Sequence, residues 1–301
     1  MDFGRLENIS NIECSLPPDH KGISKVLGNT FNPGIEIYVG CPIWADKSWV
    51  GKIYPKNAKE KDFLSHYSRQ FNSIELNATH YKIPDEAIIS KWRESVSEKF
   101  KFCPKVPQVI SHSRDILMFI DNMHEFIARI SQLKENLGTV FLQLSPYFNH
   151  GKLASLIKFL DSLPKSIDLS VELRHPSWFD NNISLNILSN YLYKNKLGLV
   201  ITDVSGRRDV LHQRLTNKTA FIRFTGNNLH PTDYKRMDEW VIRLKKWIEM
   251  GLEKLYFFIH TANKSLNPEL VCYFIERFNE ATDMYIKPPL LIVQSKQEKL
   301  L

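Results

Sequence analysis

The stretch IDLSVELRHPSW, residues 167–178, decides the fold that we predict for this chain. Apolar residues occupy every second position from Ile167 to Leu173, and the positions between them are polar or charged. Because successive side chains of a strand point to opposite faces, this alternation predicts a strand with one apolar and one charged face. We expect the apolar face to pack on helices and the charged face to look into a barrel.

Strand patterns alternate with amphipathic helix patterns on both sides of this stretch. Besides 167–178 itself, the predicted strands are 35–40, 72–81 with its exit loop, 100–106, 139–145, 198–206, 220–226 and 255–261. The predicted helices are 61–71, 84–96, 116–133, 152–163, 183–195, 237–251 and 268–280. Eight short strands alternating with helices predict an α/β fold, a single (β/α)8 TIM barrel, in preference to a doubly wound open sheet.

The chain divides into three parts on the same pattern. Residues 1–34 contain proline and glycine too often for a long element, so we interpret them as an N-terminal extension. Residues 35–282 form the predicted barrel, and residues 283–301 form a short C-terminal tail. A barrel of this kind occupies about 250 residues as one domain, so no further domain is required.

Composition limits the class of protein. With 43% hydrophobic and 24% charged residues, the chain is expected to be a globular protein with a substantial core. Its four cysteines are scattered, without a CxxC pair, which favours a reducing compartment. No segment approaches the ~20 apolar residues of a membrane span, and no signal-like start is present. We therefore expect a cytoplasmic protein with no membrane partner.

Polar residues collect near the C-terminal ends of the predicted strands once the apolar positions are assigned to the helix side. Active sites of barrels form at this end, so we predict a binding site there. The candidate catalytic residues, which could move protons, are Glu75, Glu172, His175 and Asp203. The candidate substrate-binding residues are Trp44, Asn77, Tyr81, Lys105, Gln143, Arg174, Arg223 and His260.

The three cations of this set, Lys105, Arg174 and Arg223, suit a phosphate or carboxylate group. An internal salt-bridge network, such as Glu172 with Arg223 and Asp203 with Arg174, is the alternative for any single residue. Buried charges must neutralise one another or a ligand, and the whole set favours a ligand site. We therefore predict a small anionic, phosphate-bearing ligand. If the protein is an enzyme, we expect a hydrolase or isomerase that uses general acid and base catalysis on a phosphorylated or sugar-like substrate.

A second hypothesis is a non-catalytic protein that binds nucleotides or single-stranded nucleic acid. It rests on the net charge of +7 and on the loop at residues 41–55, which carries Trp44, Trp49 and Tyr54. Such rings either seal a core or line a pocket, and on a basic surface they could stack on bases. Binding that falls steeply with salt would identify this function.

Motifs for cofactors are missing from the sequence. There is no P-loop, no GxSxG and no dinucleotide fingerprint, so ATP hydrolysis, serine chemistry and NAD binding have no support. The histidines show no HxH or HExxH spacing, and we predict no metal ligands. A divalent metal held by histidine and carboxylate is the alternative left open. The oligomeric state is not addressed by any motif.

Several motifs together carry a resemblance to a known family. The runs IYVGCPIW, FNSIELNATHY, FKFCPKVP, VFLQLSPYF, VELRHPSWF, ITDVSGRRDV and FIRFTG occur in this order and span about residues 35–280. In these motifs the chain closely resembles the domain of unknown function 72 family, also called YecE-like. The resemblance implies a single intracellular TIM barrel with a polar cluster at its C-terminal mouth, and it implies no particular activity.

Overall fold

The structure of the protein, a computed structural model, describes residues 4, 6, 9, 12–180 and 182–292. The predicted extension at 1–34 is thus described in part, and residues 293–301 of the predicted tail lie outside the described residues. The strands are β1 (Glu36–Cys41), β2 (Ser73–Leu76), β3 (Lys101–Pro104), β4 (Val140–Gln143), β5 (Leu169–Glu172), β6 (Gly198–Leu199), β7 (Ile201–Val204), β8 (Thr219–Gly226) and β9 (Lys254–Thr261). The α-helices are α1 (Ile23–Leu27), α2 (Phe63–Gln70), α3 (Ala78–Tyr81), α4 (Glu86–Glu94), α5 (Gln108–Ser111), α6 (Ile120–Ile130), α7 (Leu153–Asp161), α8 (Ile183–Lys194), α9 (Pro231–Glu249) and α10 (Asn267–Thr282).

All eight predicted strands are present, and Val200 divides the sixth into β6 and β7. Neighbouring strands pair in parallel, which confirms a parallel α/β fold. Within the described ranges, however, the strands form two sheets and not one continuous ring of eight. A six-stranded sheet has the order β3-β2-β1-β9-β8-β7, and a three-stranded sheet has the order β4-β5-β6.

The two sheets approach each other at both edges. Isolated parallel bridges join Phe102 to Leu137 and Lys105 to Phe141, between the ends of β3 and β4. At the other edge, β6 and β7 belong to different sheets but are separated only by Val200. The first strand also pairs with the last, from Glu36 opposite Lys254 to Gly40 opposite Phe258. The strands therefore curve around a common interior.

Apolar residues of opposite strand parity form two cores. The larger core lies between strands and helices and includes Ile74, Leu142 and Ile222. The smaller core fills the interior with Tyr38, Cys103, Phe141, Val200, Phe221, Tyr256 and Phe258. Its buried aromatic rings each contribute about 1.5–3 kcal/mol of transfer free energy. The smaller core therefore fills the interior below the polar ends of the strands.

Local signals fix the ends of the longest helix in the described ranges, α9. The side chain of His230 accepts a hydrogen bond from the Thr232 amide, and Pro231 occupies the first turn, so the helix begins six residues before the predicted Met237. It ends before Gly251, whose φ of 107° suits glycine alone.

Within the described residues, none of the helices has the length and apolar content needed to cross a bilayer.

The N-terminal segment, residues 12–22, lies along α9. The Asp19 carboxylate accepts hydrogen bonds from Arg243 at 2.8 Å, Lys246 at 2.6 Å and the Trp247 indole at 3.1 Å. Two of these contacts are charge-assisted, and the carboxylate is mostly buried, so the attachment is stronger than an exposed ion pair. The described part of the predicted extension is therefore packed on α9.

Candidate ligand site at the strand ends

A cavity of about 930 Å³ opens at the C-terminal ends of the strands. Segments that follow β1, β2, β8 and β9 form much of its wall, together with Gly4, Leu6 and Ile9 of the N-terminal extension. All eight predicted substrate-binding residues line it: Trp44, Asn77, Tyr81, Lys105, Gln143, Arg174, Arg223 and His260. The structure brings these residues together, whereas their roles stay predictions.

Arg223 of β8 links two carboxylates beside the cavity. Its Nε and Nη2 atoms lie 2.9 and 2.8 Å from the two oxygens of Glu75. Its Nη1 atom lies 2.9 and 3.1 Å from the two oxygens of Glu172. Both glutamates are fully buried, on the inward faces of β2 and β5. The salt bridge between Glu172 and Arg223 that the sequence suggested is present, and Arg223 is occupied by it.

Glu172 has two further partners. The Nε2 atom of Gln143 donates to it at 2.8 Å and the Nε atom of Arg174 at 2.9 Å. Burial alone would raise the pKa of Glu172, but the guanidinium groups of Arg223 and Arg174 outweigh burial and lower that pKa to about 2. Glu172 is therefore a fully ionised and saturated acceptor at neutral pH.

Glu75 is held in the same way. The Nε2 atom of His260 lies 2.8 Å from its Oε2 atom, and the Nδ2 atom of Asn77 donates to Oε1 at 2.9 Å. Burial opposes ionisation of Glu75, but the charges of Arg223 and His260 keep its pKa well below the usual range. Two of the predicted catalytic residues thus lie just behind the cavity wall as ionised carboxylates.

Lys105 follows β3 and points its side chain into the cavity wall. Its backbone is fixed, because its amide donates to Leu76 and its carbonyl accepts from Thr79. The side chain is only 8% exposed, and its ammonium has no hydrogen-bond or ion-pair partner in the described part of the chain. Burial and the charge of Arg223 lower the pKa of Lys105 to about 8, although Glu75 and Glu172 partly offset them. We call Glu75, Lys105, Glu172, Arg174 and Arg223 the inner cluster.

His80 is a cavity residue that the sequence analysis did not select for the site. Its Nδ1 atom lies 2.9 Å from the Val106 carbonyl, so Nδ1 carries the proton and Nε2 is the acceptor. Burial and the charge of Lys105 lower the pKa of His80 to about 4, so the ring is neutral. The available signal was its place beside Tyr81, at the exit of a predicted strand.

Asp203 was predicted to point inward, and this is wrong. It is fully buried on the opposite side of β7, where the Arg236 Nη1 atom lies 3.0 Å away and the Trp240 Nε1 atom 2.8 Å away. Its neighbours Thr202 and Val204 line the cavity instead. Asp203, Arg208, Asp233 and Arg236 form what we call the outer cluster.

His175 also lies outside the site. Its side chain accepts a hydrogen bond from the Ser177 amide and so caps the 3-10 helix Pro176–Trp178. The ring is not among the residues that line the cavity. The cap explains why a histidine stands here, and the prediction that it is catalytic is not supported by its position.

The aromatic loop after β1 has two functions. Trp49 and Tyr54 are fully buried and pack at a ring separation of 5.8 Å, so they seal the core. Trp44 lines the cavity, and its ring packs edge-to-face with Trp92 at a centroid separation of 5.9 Å. The loop therefore offers one ring to a ligand instead of three, and the exposed ring at the mouth is Tyr81, which is 80% exposed.

Other cavity residues were not predicted at all. They include Thr202, Thr225 and Thr261, which lie within β7, β8 and β9, and Gly4, Leu6 and Ile9 of the extension. Asn227, His230 and Lys264 lie in loops after β8 and β9, where no alternating pattern guides assignment. A metal centre is a separate matter: in the described ranges, no group of three or more histidine, cysteine or carboxylate side chains is arranged to hold an ion.

Comparisons with known proteins agree with the sequence resemblance. The family model described as "Protein of unknown function DUF72" matches residues 38–292. The UPF0759 protein YecE of Escherichia coli K12 is 31% identical over 253 residues, which cover 78% of this chain and 90% of that protein. The UPF0759 protein YunF of Bacillus subtilis 168 is 28% identical over 150 residues, covering 48% of this chain and 52% of that protein.

Two crystal structures have a similar fold. A DUF72 family protein from Enterococcus faecalis V583 superimposes with a TM-score of 0.64 at 18% identity, covering 83% of this chain and 99% of the other. A DUF72 family protein from Thermotoga maritima MSB8 gives a TM-score of 0.64 at 21% identity, with 82% and 99% covered. At these identities the likeness concerns the fold alone.

Proposed function

This chain belongs to the DUF72 family, and we propose that it binds a small anionic ligand in the cavity at the strand ends. The observation that carries the proposal is Lys105, which is only 8% exposed at the cavity wall and whose ammonium has no hydrogen-bond or ion-pair partner in the described residues. An unpaired buried ion costs several kcal/mol. A phosphate or carboxylate group bound at Lys105 offsets that cost.

The charges of the inner cluster support the same conclusion. Glu75 and Glu172 supply two negative charges, and both are already bound by Arg223. Among the described residues, Arg174, Arg223 and Lys105 supply three positive charges, so one positive charge is in excess there when both carboxylates are ionised. In a site of low dielectric constant this excess attracts one anionic group more strongly than an exposed lysine does.

The size of the cavity and its rings narrow the ligand class. A volume of about 930 Å³ is at the upper end of the usual range for small-molecule sites. Trp44 and Tyr81 lie at the wall and mouth, where an aromatic or sugar ring can pack on them. Sugar phosphates and nucleotides have the required combination of an anionic group and a ring.

The carboxylates of the inner cluster support anion binding better than they support acid and base catalysis. A carboxylate with a pKa near 2 is a poor proton donor and a weak base at neutral pH. We therefore assign Glu75 and Glu172 the role of orienting Arg223 and Arg174, and hydrolysis or isomerisation stays a prediction. The nucleic-acid alternative relied partly on Trp49 and Tyr54 as rings that stack on bases. Both rings are buried, so they are not available for stacking.

We also propose that the two sheets act as one closed (β/α)8 barrel over residues 35–282, with the extension and tail outside it. The bridges between β3 and β4 and the single residue between β6 and β7 support closure. Val200 supports it further, because its side chain packs in the interior core. The cytoplasmic location stays a prediction.

The binding proposal is tested by thermal unfolding of the full chain with phosphate, pyrophosphate, ribose 5-phosphate and AMP. A ligand at 100 times its dissociation constant adds about 2.7 kcal/mol of stability, which raises the midpoint measurably. The Lys105→Met variant should lose this shift, whereas Lys82→Met, at an exposed lysine outside the cavity, should keep it. The proposal fails if no anion shifts the midpoint, or if Lys105→Met responds as the wild type does.

A further inference from the structure

We propose that Lys105 is a nucleophilic amine, which forms an imine with the carbonyl carbon of an anionic carbonyl compound held in the cavity. Suitable compounds are 2-oxo acids and open-chain aldose phosphates, which join a carbonyl group to a carboxylate or phosphate. The choice of an anionic substrate rests on the proposed anion site. The reactivity of the amine rests on the surroundings of Lys105 itself.

The surroundings leave the Lys105 nitrogen available. A lysine bound to a carboxylate is held as an ammonium and cannot attack, but here both nearby carboxylates are occupied by arginine. Arg223 contacts all four oxygens of Glu75 and Glu172, at 2.8–3.1 Å. The nitrogen therefore has no partner in the described part of the chain, although the side chain is 8% exposed and lines the cavity.

The position of Lys105 also suits a covalent role. It directly follows β3 at the C-terminal end of the barrel strands, where reacting groups of this fold collect. Its backbone is anchored by Leu76 and Thr79, so the side chain extends from a fixed point. Nucleophilic lysines are commonly found desolvated and beside other cations, as Lys105 is beside Arg223.

The protonation equilibrium of Lys105 agrees with a nucleophilic role that the geometry already supports. Burial and Arg223 lower the pKa of Lys105 to about 8. At pH 7 about one-tenth of the side chains are then neutral, about 300-fold more than for an ordinary lysine. The proton that the attacking nitrogen loses is taken up by the carbonyl oxygen, so the step needs no separate base.

The reaction balances without an oxidant or reductant. The neutral Nζ atom attacks the carbonyl carbon, a C–N bond forms, and the π electrons of the C=O bond move to oxygen, which takes up a proton. The nitrogen lone pair of this carbinolamine then forms the second C–N bond as the C–O bond breaks, and oxygen leaves with its electron pair and a second proton as water. The product is an iminium, so ammonium plus carbonyl gives iminium plus water. Its single positive charge equals that of the ammonium, and the anionic group of the substrate balances it before and after.

Reductive trapping tests the proposal. The full chain is incubated with pyruvate, ribose 5-phosphate, neutral glyceraldehyde or lactate, reduced with borohydride, and examined by intact mass and peptide mapping. We expect the mass of pyruvate or ribose 5-phosphate, less one oxygen, on the peptide that contains Lys105, at least 10-fold above any other lysine. Lactate, which has no carbonyl group, should give no label. Labelling should increase as pH rises through 8.

Two variants control for charge and for general lysine reactivity. Lys105→Arg keeps the positive charge but has no attacking amine, so the label should disappear while anions still raise the unfolding midpoint. Lys82→Arg, at an exposed lysine outside the cavity, should be labelled at Lys105 as the wild type is. Because the mapping is done on wild-type protein, the result does not depend on the folding of a variant.

The outcomes separate this inference from the proposed function. Label on Lys105 that phosphate suppresses supports both. Equal labelling by glyceraldehyde and pyruvate, without a thermal shift by any anion, supports the amine and overturns the anion site. A thermal shift without label, or label spread over lysines according to their exposure, overturns the imine and leaves anion binding intact.

Discussion

Two buried arginines, Arg223 in the inner cluster and Arg236 in the outer cluster, each lie between two carboxylates, yet only Arg223 borders a cavity. Arg236 binds Asp203 at 3.0 Å and Asp233 at 2.9 Å, and it donates to the Thr225 carbonyl at 2.8 Å. Both guanidinium groups also lie over a phenylalanine ring. Local geometry alone therefore does not distinguish a ligand site from a structural ion cluster.

Charge balance does distinguish them. In the outer cluster two carboxylates, Asp203 and Asp233, meet two guanidinium groups, Arg208 and Arg236, and Arg236 is 0% exposed. Among the described residues of the inner cluster two carboxylates meet three cations, and the third cation, Lys105, lines the cavity. A closed and balanced cluster needs no ligand, whereas we propose that the open cluster, with its excess positive charge, binds an anion.

The largest effect is expected when either central arginine is removed. Arg223→Met and Arg236→Met each leave two buried carboxylates without their main partner, so each should lower the free energy of unfolding by about 3–5 kcal/mol. Urea denaturation measures this loss. Arg277→Met, at an exposed pair with Asp238, is the control and should leave the urea midpoint nearly unchanged. A central arginine whose removal changes the free energy of unfolding no more than this control does would contradict its structural role.

Glu172→Gln should lower the free energy of unfolding by an amount that depends on pH. The pKa of Glu172 is lowered to about 2 from a usual value of 4.5, so its ionisation stabilises the fold above pH 4.5 and this stabilisation is lost as pH falls through 2. The expected cost near pH 6 is about 3 kcal/mol. Denaturation curves from pH 6 downward should show the difference from wild type shrinking, and a constant difference would contradict the assignment.

Lys105→Met should raise the free energy of unfolding, whereas Glu172→Gln lowers it. The pKa of Lys105 is lowered to about 8 from 10.5, so its ammonium destabilises the fold fully below pH 8, and this penalty is relieved as pH rises towards 10.5. The variant should be about 1–3 kcal/mol more stable than wild type at pH 7, with the advantage shrinking by pH 10. Lys82→Met should show neither effect. A variant less stable than wild type at pH 7 would make Lys105 a structural residue.

The smallest effect on stability is expected at the mouth of the cavity. Tyr81 is 80% exposed, so Tyr81→Ala should change the free energy of unfolding by about 0.5 kcal/mol or less. If a ring packs on it, the variant should bind AMP more weakly by about 1 kcal/mol while its affinity for phosphate is unchanged. Calorimetric titrations with both ligands compare these affinities, and equal losses for both would remove Tyr81 from the site.

Strand parity explains why much of the site could be predicted from the sequence. Ile74 and Leu76 on β2, and Val171 and Leu173 around the end of β5, define an apolar face, so Glu75 and Glu172 between them had to point inward. The local alternation alone fixes these directions, and the common C-terminal ends of parallel strands bring the side chains together.

Strand parity predicts the wrong direction for Asp203, because the alternation is interrupted before it. Leu199, Val200 and Ile201 are apolar at three successive positions, so the pattern does not state which side of the strand is inward. Asp203 then takes its direction from Arg236 and Trp240, which lie 33 and 37 residues later in the chain. Contacts of that separation are set by tertiary packing, which no local pattern encodes.

The attachment of the N-terminal segment to α9 has a consequence for synthesis. Leu16 binds Glu239 and Asp19 binds Trp247, across separations of 223 and 228 residues. Residues 16 and 19 are translated before their partners, so their contacts form only after α9 has left the ribosome. Such long-range contacts belong to the slow, late part of assembly. Because Gly4, Leu6 and Ile9 also line the cavity, part of its wall is built from residues that are translated early and docked late.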